Sequence, residues 1–109
     1  EVIYDKNGIK IAVKTETGGL YEMPQLCISN QSDKNIAVSA ASCKVNGTDV
    51  DCSIGGNVYS GNRAIREMYF FDPVEKGDQL EFSLTIYELD DKGLYGTQLD
   101  AADTFHMTV

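Results

Sequence analysis

Three cysteines, one histidine and a scatter of aspartates and tyrosines are the side chains of this 109-residue chain with chemistry beyond packing. His106 stands between Phe105 and Met107; if those two face a core, it faces solvent. A nucleophile such as Ser83 or Cys27 would need it as general base, with an acid to orient it. The sequence leaves open whether either converges on it, but His106 is expected to be a surface residue and no catalytic residue is assigned. Neither C-x-x-C nor H-x-x-x-H spacing occurs, which argues against zinc. Asp90 and Asp91, with Asp100 and Asp103, could offer oxygen ligands to calcium. However, Asp90-Asp91-Lys92-Gly93 lacks the D-x-D-x-D-G layout of a calcium loop, and turn formation accounts for Asp and Gly there. No metal and no cofactor is expected. Tyr87, Asp90, Asp91 and Tyr95 form the one candidate binding group, since exposed aromatics beside carboxylates stack on sugars or anchor a protein partner. Ordinary packing of tyrosine in a sheet is the plain alternative.

The elements that must position these residues are strands. Gln79 to Glu88 alternates strictly, with Leu80, Phe82, Leu84 and Ile86 on one face and Glu81, Ser83, Thr85 and Tyr87 on the other. The first residues read as a hairpin about Asn7-Gly8, the pair that best supplies two positive φ angles. That register sets Asp5 against Lys10 as an ion pair, Tyr4 against Ile11 and Val2 against Val13. Gly18-Gly19 ends the run. A strand from Leu20 to Asn30 sends Leu26 and Ile28 inward, with Pro24 confining it to an edge or to an irregular start. From Asn35 to Val45 the apolar phase is even at Ile36, Val38 and Ala40 and odd at Cys43 and Val45. Such a slip indicates a β-bulge near Ala41-Ser42. Further strands are expected over Val50 to Ile54, closed by Gly55-Gly56-Asn57, and over Arg63 to Phe71 with Met68 and Phe70 inward. Asp72 to Asp78 connects to the Gln79 strand, and a last strand ends in Phe105, Met107 and Val109.

Seven to eight short strands without any helical period predict an all-β, antiparallel two-sheet sandwich spanning residues 1–109 as one domain, a closed barrel being the alternative. The core is expected to hold Leu26, Ile28, Ile36, Val38, Leu80, Phe82, Leu84, Ile86 and Phe105. Hydrophobic residues make up 42% of the chain, enough for one core without a metal. The formal net charge of -8 repels phosphate backbones and anionic lipid, so neither nucleic acid nor a membrane surface is an expected partner. The charge is uneven: residues 72–109 hold nine acids against Lys76 and Lys92, whereas residues 1–71 hold eight acids and seven bases. No apolar run reaches the ~18 residues of a membrane helix. Strand-like sequence begins at once with Val2, Ile3 and Tyr4, as in a trimmed chain, which leaves room for a removed signal or anchor.

In order along nearly the whole length, YDKNGIKI, NQSDKNIAV, KVNGTDVD and IYELDDKG resemble an immunoglobulin-like domain of secreted or lipid-anchored surface proteins of Gram-positive bacteria. The resemblance implies a β-sandwich outside the cell and transfers no catalytic residue. Antibody-type domains carry a Trp and an inter-sheet Cys pair; this chain has no Trp, and no matching Cys pair is expected. The function expected is a non-catalytic extracellular module that binds a protein or glycan partner or spaces other domains. A small hydrolase using His106 is one rival, and a periplasmic-like inhibitor or chaperone is another.

Cys43 and Cys52 are expected to form a disulfide while Cys27 stays free. With Gly47-Thr48 as a type II′ turn, Asn46 faces Asp49 and Cys43 faces Cys52 at a non-hydrogen-bonded site, where Cα atoms lie about 4.5 Å apart. A type I′ turn at Asn46-Gly47 instead sets Cys43 opposite Val50, leaving the two sulfurs diagonal and reduced. Thiol titration of the denatured, unreduced protein should find one reactive group; three would remove the bridge and the oxidising compartment it implies.

Overall fold

The computed structural model describes residues 1–15, 24–71 and 74–109. The expected break at Gly18-Gly19, the start of the second strand at Leu20 and the Asp72 end of the later connection lie outside the described residues.

Strands β1 (Val2–Lys6) and β2 (Ile9–Thr15) form the first hairpin, with Asn7 at φ 55° and Gly8 at φ 82° supplying the left-handed pair of a type I′ turn. Asp5 faces Lys10 and Tyr4 faces Ile11. A bulge at Ile3 then shifts the register, so Val2 lies opposite Ala12 and not Val13. Val13 is closed off by Glu1 through main-chain hydrogen bonds of 2.8 and 2.9 Å. Asp5 and Lys10 make no ion pair; among the described residues Lys34 pairs with Glu88 and His106 with Glu81.

Then follow β3 (Pro24–Asn30), β4 (Ile36–Val45), β5 (Thr48–Asp49), β6 (Cys52–Ile54), β7 (Gly56–Val58), β8 (Arg63–Phe70), β9 (Gln79–Leu89), β10 (Tyr95–Ala101) and β11 (Phe105–Thr108). All pairing is antiparallel. The first sheet runs β1-β2-β3-β8-β6 and the second β10-β9-β4-β5, with β11 also on β9 and β7 also on β4. The sheets face each other as a sandwich and do not close into a barrel. β3 is an interior strand, tolerated because Pro24 occupies its first position, where no ladder bond is lost.

Leu26 and Ile28 from the first sheet meet Ile36, Val38, Leu80, Phe82, Leu84 and Ile86 from the second, none more than 1% exposed. At roughly 1.5–3 kcal/mol per large apolar side chain withdrawn from water, this layer is the main stabilising term. Phe105 departs from the expected core. It is only half-buried, because β11 is an outer strand, and it stacks on Phe82 with ring centres 5.5 Å apart. In the β4–β9 ladder Ala40 pairs with Leu84 and Ser42 with Ser83, leaving Ala41 as the extra residue of a bulge. The bulge keeps Ile36, Val38, Cys43 and Val45 on one face despite the change of phase.

Val50 to Ile54 is not one strand. Lys44 faces Asp49 and Val45 faces Thr48, so the turn is Asn46-Gly47, with φ 51° and 82°. The Asn46 side chain secures that choice: Nδ2 donates to Asp78 Oδ1 and Oδ1 accepts from the Gln79 amide, both at 3.0 Å. Past Asp49 the chain leaves the second sheet, and Cys52 enters the first sheet on β6 opposite Phe70. Cys43 and Cys52 are thus joined between the sheets, with Cα atoms 6.4 Å apart, and not across a hairpin. Of the two expected registers, the one with Asn46-Gly47 as the turn is observed, the Val50 amide donating to the Cys43 carbonyl at 3.1 Å, but its sulfurs are bonded and not reduced; the Gly47-Thr48 register is corrected. A loop this short still removes about 2–3 kcal/mol of chain entropy from the unfolded state in the loop-closure treatment. The strand does end at Ile54, before Gly55, but Gly56 and Asn57 already belong to the next one. The chain returns at Gly56, opposite Val38, where a Cβ would lie 2.2 Å from the Val38 carbonyl oxygen. Only glycine fits there.

Two polar devices close the ends of the sandwich. Fully buried Asn30 donates from Nδ2 to the carbonyls of Lys34 (2.7 Å) and Val58 (3.0 Å) and accepts at Oδ1 from Ser32. Tyr4 of β1 donates to Asp100 Oδ2 of β10 at 2.8 Å, linking the edge strands of the two sheets. Burial, reinforced by the bond to Asp100, pushes the Tyr4 phenol up to about 12. The Tyr4 bond and then the Ala101 amide hold Asp100 below the usual carboxylate range. The folded state therefore retains the Tyr4 proton where the unfolded chain, ionising near 10, has lost it. Tyr4's contribution is fully present below about pH 10 and is lost as pH rises toward about 12. That of Asp100 is present above about pH 4 and is lost as pH falls through its lowered value. Thermal melts of Tyr4→Phe should show a lower Tm at pH 7 and a shallower fall in stability across this alkaline window; an unchanged alkaline slope would contradict the assignment.

Candidate functional site

The four residues singled out from the sequence sit on one hairpin. The Asp90 amide donates to the Leu94 carbonyl at 2.9 Å and the Gly93 amide to the Asp90 carbonyl at 3.0 Å, closing a three-residue loop with Gly93 at φ 75°. Asp90 builds this turn. Its Oδ1 accepts from the backbone amides of Lys92 and Leu94, each at 2.9 Å. Asp91, at the exposed tip, has no hydrogen-bond or ion-pair partner among the described residues. The two carboxylates thus divide, one structural and one presented to solvent.

Beside the turn, the β9–β10 register slips between Tyr95 and Gln98, so the residue directly opposite Tyr87 is Gln98. The slip lets the tyrosine rings stack, with centres 5.0 Å apart and planes inclined by 21°. Ala37, opposite Tyr87 on the outer side of β4, has no exposure although no sheet covers that face. The rings therefore both pack and present: Tyr87 is partly covered, whereas Tyr95 is 51% exposed. Leu94, which the sequence reading passed over, is 61% exposed beside them. An apolar residue in an otherwise polar turn was the signal available.

The remaining candidates do not converge on this hairpin or on one another. His106 projects from the outer face of β11 opposite Glu81, with Nδ1 3.6 Å from Glu81 Oε1 and its side chain 66% exposed. Ser83 faces Ser42 in the β4–β9 ladder, and Cys27 is exposed on the first sheet; neither is hydrogen-bonded to His106. Asp100 is engaged by Tyr4 and by the Ala101 amide, away from Asp90. No group of three or more His, Cys, Asp or Glu side chains that could hold a metal occurs among the described residues. Comparison of the chain with family models, curated proteins and solved structures finds no match in any of the three.

Because Asp90 serves the backbone and Asp91 does not, their substitutions should separate. Asp90→Ala is expected to cost about 1–2 kcal/mol in urea denaturation by leaving two turn amides without their acceptor. Asp91→Ala should stay within about 0.5 kcal/mol of the parent, as surface changes do.

Proposed function

We propose that this chain is a non-catalytic, extracellular binding module of immunoglobulin-like type, with the β9–β10 hairpin as its recognition element for a glycan or a protein partner. The observation that carries the reading is the Tyr87–Tyr95 stack, half open to solvent beside the exposed Asp91 carboxylate. A flat ring pair supplies the stacking surface and the carboxylate accepts hydroxyl or amide protons, the combination that suits a saccharide ring. The turn holding them is fixed by Asp90, so little order has to be gained on binding.

The strand order supports the immunoglobulin-like reading. β2-β3-β8-β6 against β10-β9-β4 follows the ABED and GFC arrangement of such sandwiches, with β5 and β7 at the additional edge position. The Cys43–Cys52 bridge is in keeping with an oxidising compartment. A secreted or lipid-anchored protein of a Gram-positive cell surface is the setting that the sequence resemblance suggests. The hydrolase alternative needs His106 within reach of Ser83 or Cys27 in a cleft, and His106 instead faces solvent beside Glu81.

A glycan array followed by calorimetry on the ligands it identifies tests the reading. Tyr95→Ala and Asp91→Ala should each weaken binding by roughly tenfold or more while leaving the fold intact. A ligand whose affinity neither substitution changes would move recognition to another surface.

A further inference from the structure

The fold sorts charge between its two faces. Strands of the first sheet carry Lys6, Lys10, Lys14, Arg63 and Arg66 against Asp5 and Glu67; strands of the second carry Lys44 against Asp49, Glu81, Glu88 and Asp100. In a chain of net charge -8, the first sheet is thus the one with a local excess of positive charge. Lys10, Lys14 and Arg63 face outward on β2 and β8 together with Asp5 and Glu67, whereas Lys6 and Arg66 stand in the inward phase opposite Ile9 and Leu26; none of the three outward bases has an ion-pair partner among the described residues. Between them runs an apolar cross-strand row: Val2 opposite Ala12, Ala12 opposite Cys27, Cys27 opposite Ile65. Ile65 is 63% exposed and Phe71, farther along in the same phase as Tyr69, 73%. Such exposure of large apolar side chains on an uncovered sheet face marks an interaction surface.

The shape of the face indicates what it takes. Ala12, Cys27 and Ser29 are short, whereas Lys10, Arg63 and Ile65 around them are long, so the centre is a shallow depression of about 580 Å³. A second copy packed on the same face about a two-fold axis would set depression against depression. An axis through Cys27 running along the strands would bring Lys10 against Arg63 of the second copy and Lys14 against its Glu67, and one running across them would bring Lys10 against Lys14 and Arg63 against Glu67. Each arrangement thus sets a repulsion against an attraction and leaves the two depressions facing each other unfilled, whereas the charged side chains lining the depression, Lys10 and Arg63, are both bases and suit a protrusion of opposite charge. Along β2 the order is base, apolar, base at Lys10, Ala12 and Lys14, with side chains on one face spaced by two residues.

We propose that the outer face of the first sheet docks an acidic protein segment, extended along β2 and β3, that lowers an apolar side chain onto Ala12 and Cys27 between two carboxylates at two-residue spacing. The carboxylates reach Lys10 or Arg63 on one side and Lys14 on the other. This site lies on the opposite side of the sandwich from the β9–β10 hairpin and does not depend on it.

Cys27 on the floor makes docking readable in the native protein. The probe is the acetylated, amidated peptide Glu-Thr-Phe-Thr-Glu, compared with Gln-Thr-Phe-Thr-Gln and with Glu-Thr-Gly-Thr-Glu. The readouts are calorimetric affinity and the rate of Cys27 alkylation by iodoacetamide. The acidic phenylalanine peptide should slow alkylation, and both controls should bind roughly tenfold more weakly. Raising salt to about 1 M, where the screening length falls to about 3 Å, should abolish protection. Lys10→Gln with Arg63→Gln, both at the surface, should remove the preference for carboxylates, with protection read against the variant's own peptide-free alkylation rate because loss of two cations beside Cys27 slows that rate itself. Equal binding of all three peptides, or no protection of Cys27, would overturn the proposal. A dimer in sedimentation with Cys27 already protected would overturn it in favour of a second copy.

Discussion

The ladder between β4 and β9, with its single bulge at Ala41, is the constraint on which the other features rest. β9 alternates without interruption, so any strand that pairs along its whole length must keep its own apolar residues in phase with Leu80, Phe82, Leu84 and Ile86. β4 changes phase halfway. Without the extra residue, Cys43 and Val45 would turn to solvent, and the sulfur that reaches the opposite sheet would be on the wrong side. One bulged alanine thus places half of a strand in the core and aims Cys43 at β6.

The segment after β4 shows how closely the two sheets are laced. The chain goes from β5 in the second sheet to β6 in the first, back to β7 and again across to β8, within about twenty residues. Each crossing has a local cause: the disulfide holds Cys52 under Cys43, and Gly56 lets the backbone approach Val38 where no side chain fits. Asn30 ties the return by bonding the 31–35 turn and the Val58 carbonyl through one fully buried amide. A buried amide is tolerable only because its donors and its acceptor are all engaged.

This lacing has a functional consequence, because it leaves both outer faces uncovered and unlike. The second sheet bears the acidic strands and the tyrosine hairpin; the first bears, around an apolar row, bases without an ion-pair partner among the described residues. The uneven charge of the sequence, with its acids concentrated after residue 71, becomes a difference between faces because β9, β10 and β11 all join one sheet. The two proposed sites therefore lie on opposite faces and do not overlap.

By itself the sequence determined whatever depends on near neighbours. Strand phase, the turn at Asn7-Gly8 and the bulge near Ala41 follow from side-chain alternation and from which residues adopt positive φ, interactions a few residues in range. Grouping Tyr87, Asp90, Asp91 and Tyr95 on one turn was legible for the same reason. Tertiary structure decided which sheet each short segment joins, and therefore that Cys43 meets Cys52 between sheets and not along a hairpin. Sheet membership of Cys52–Ile54 and Gly56–Val58 is settled by contacts with β8 and β4, which depend on the packing of the whole core and leave no local pattern in three-residue strands. It also decided that Asp90 is consumed by backbone amides while Asp91 has no partner among the described residues, because two adjacent aspartates are equivalent in sequence and differ only in the direction the turn gives them.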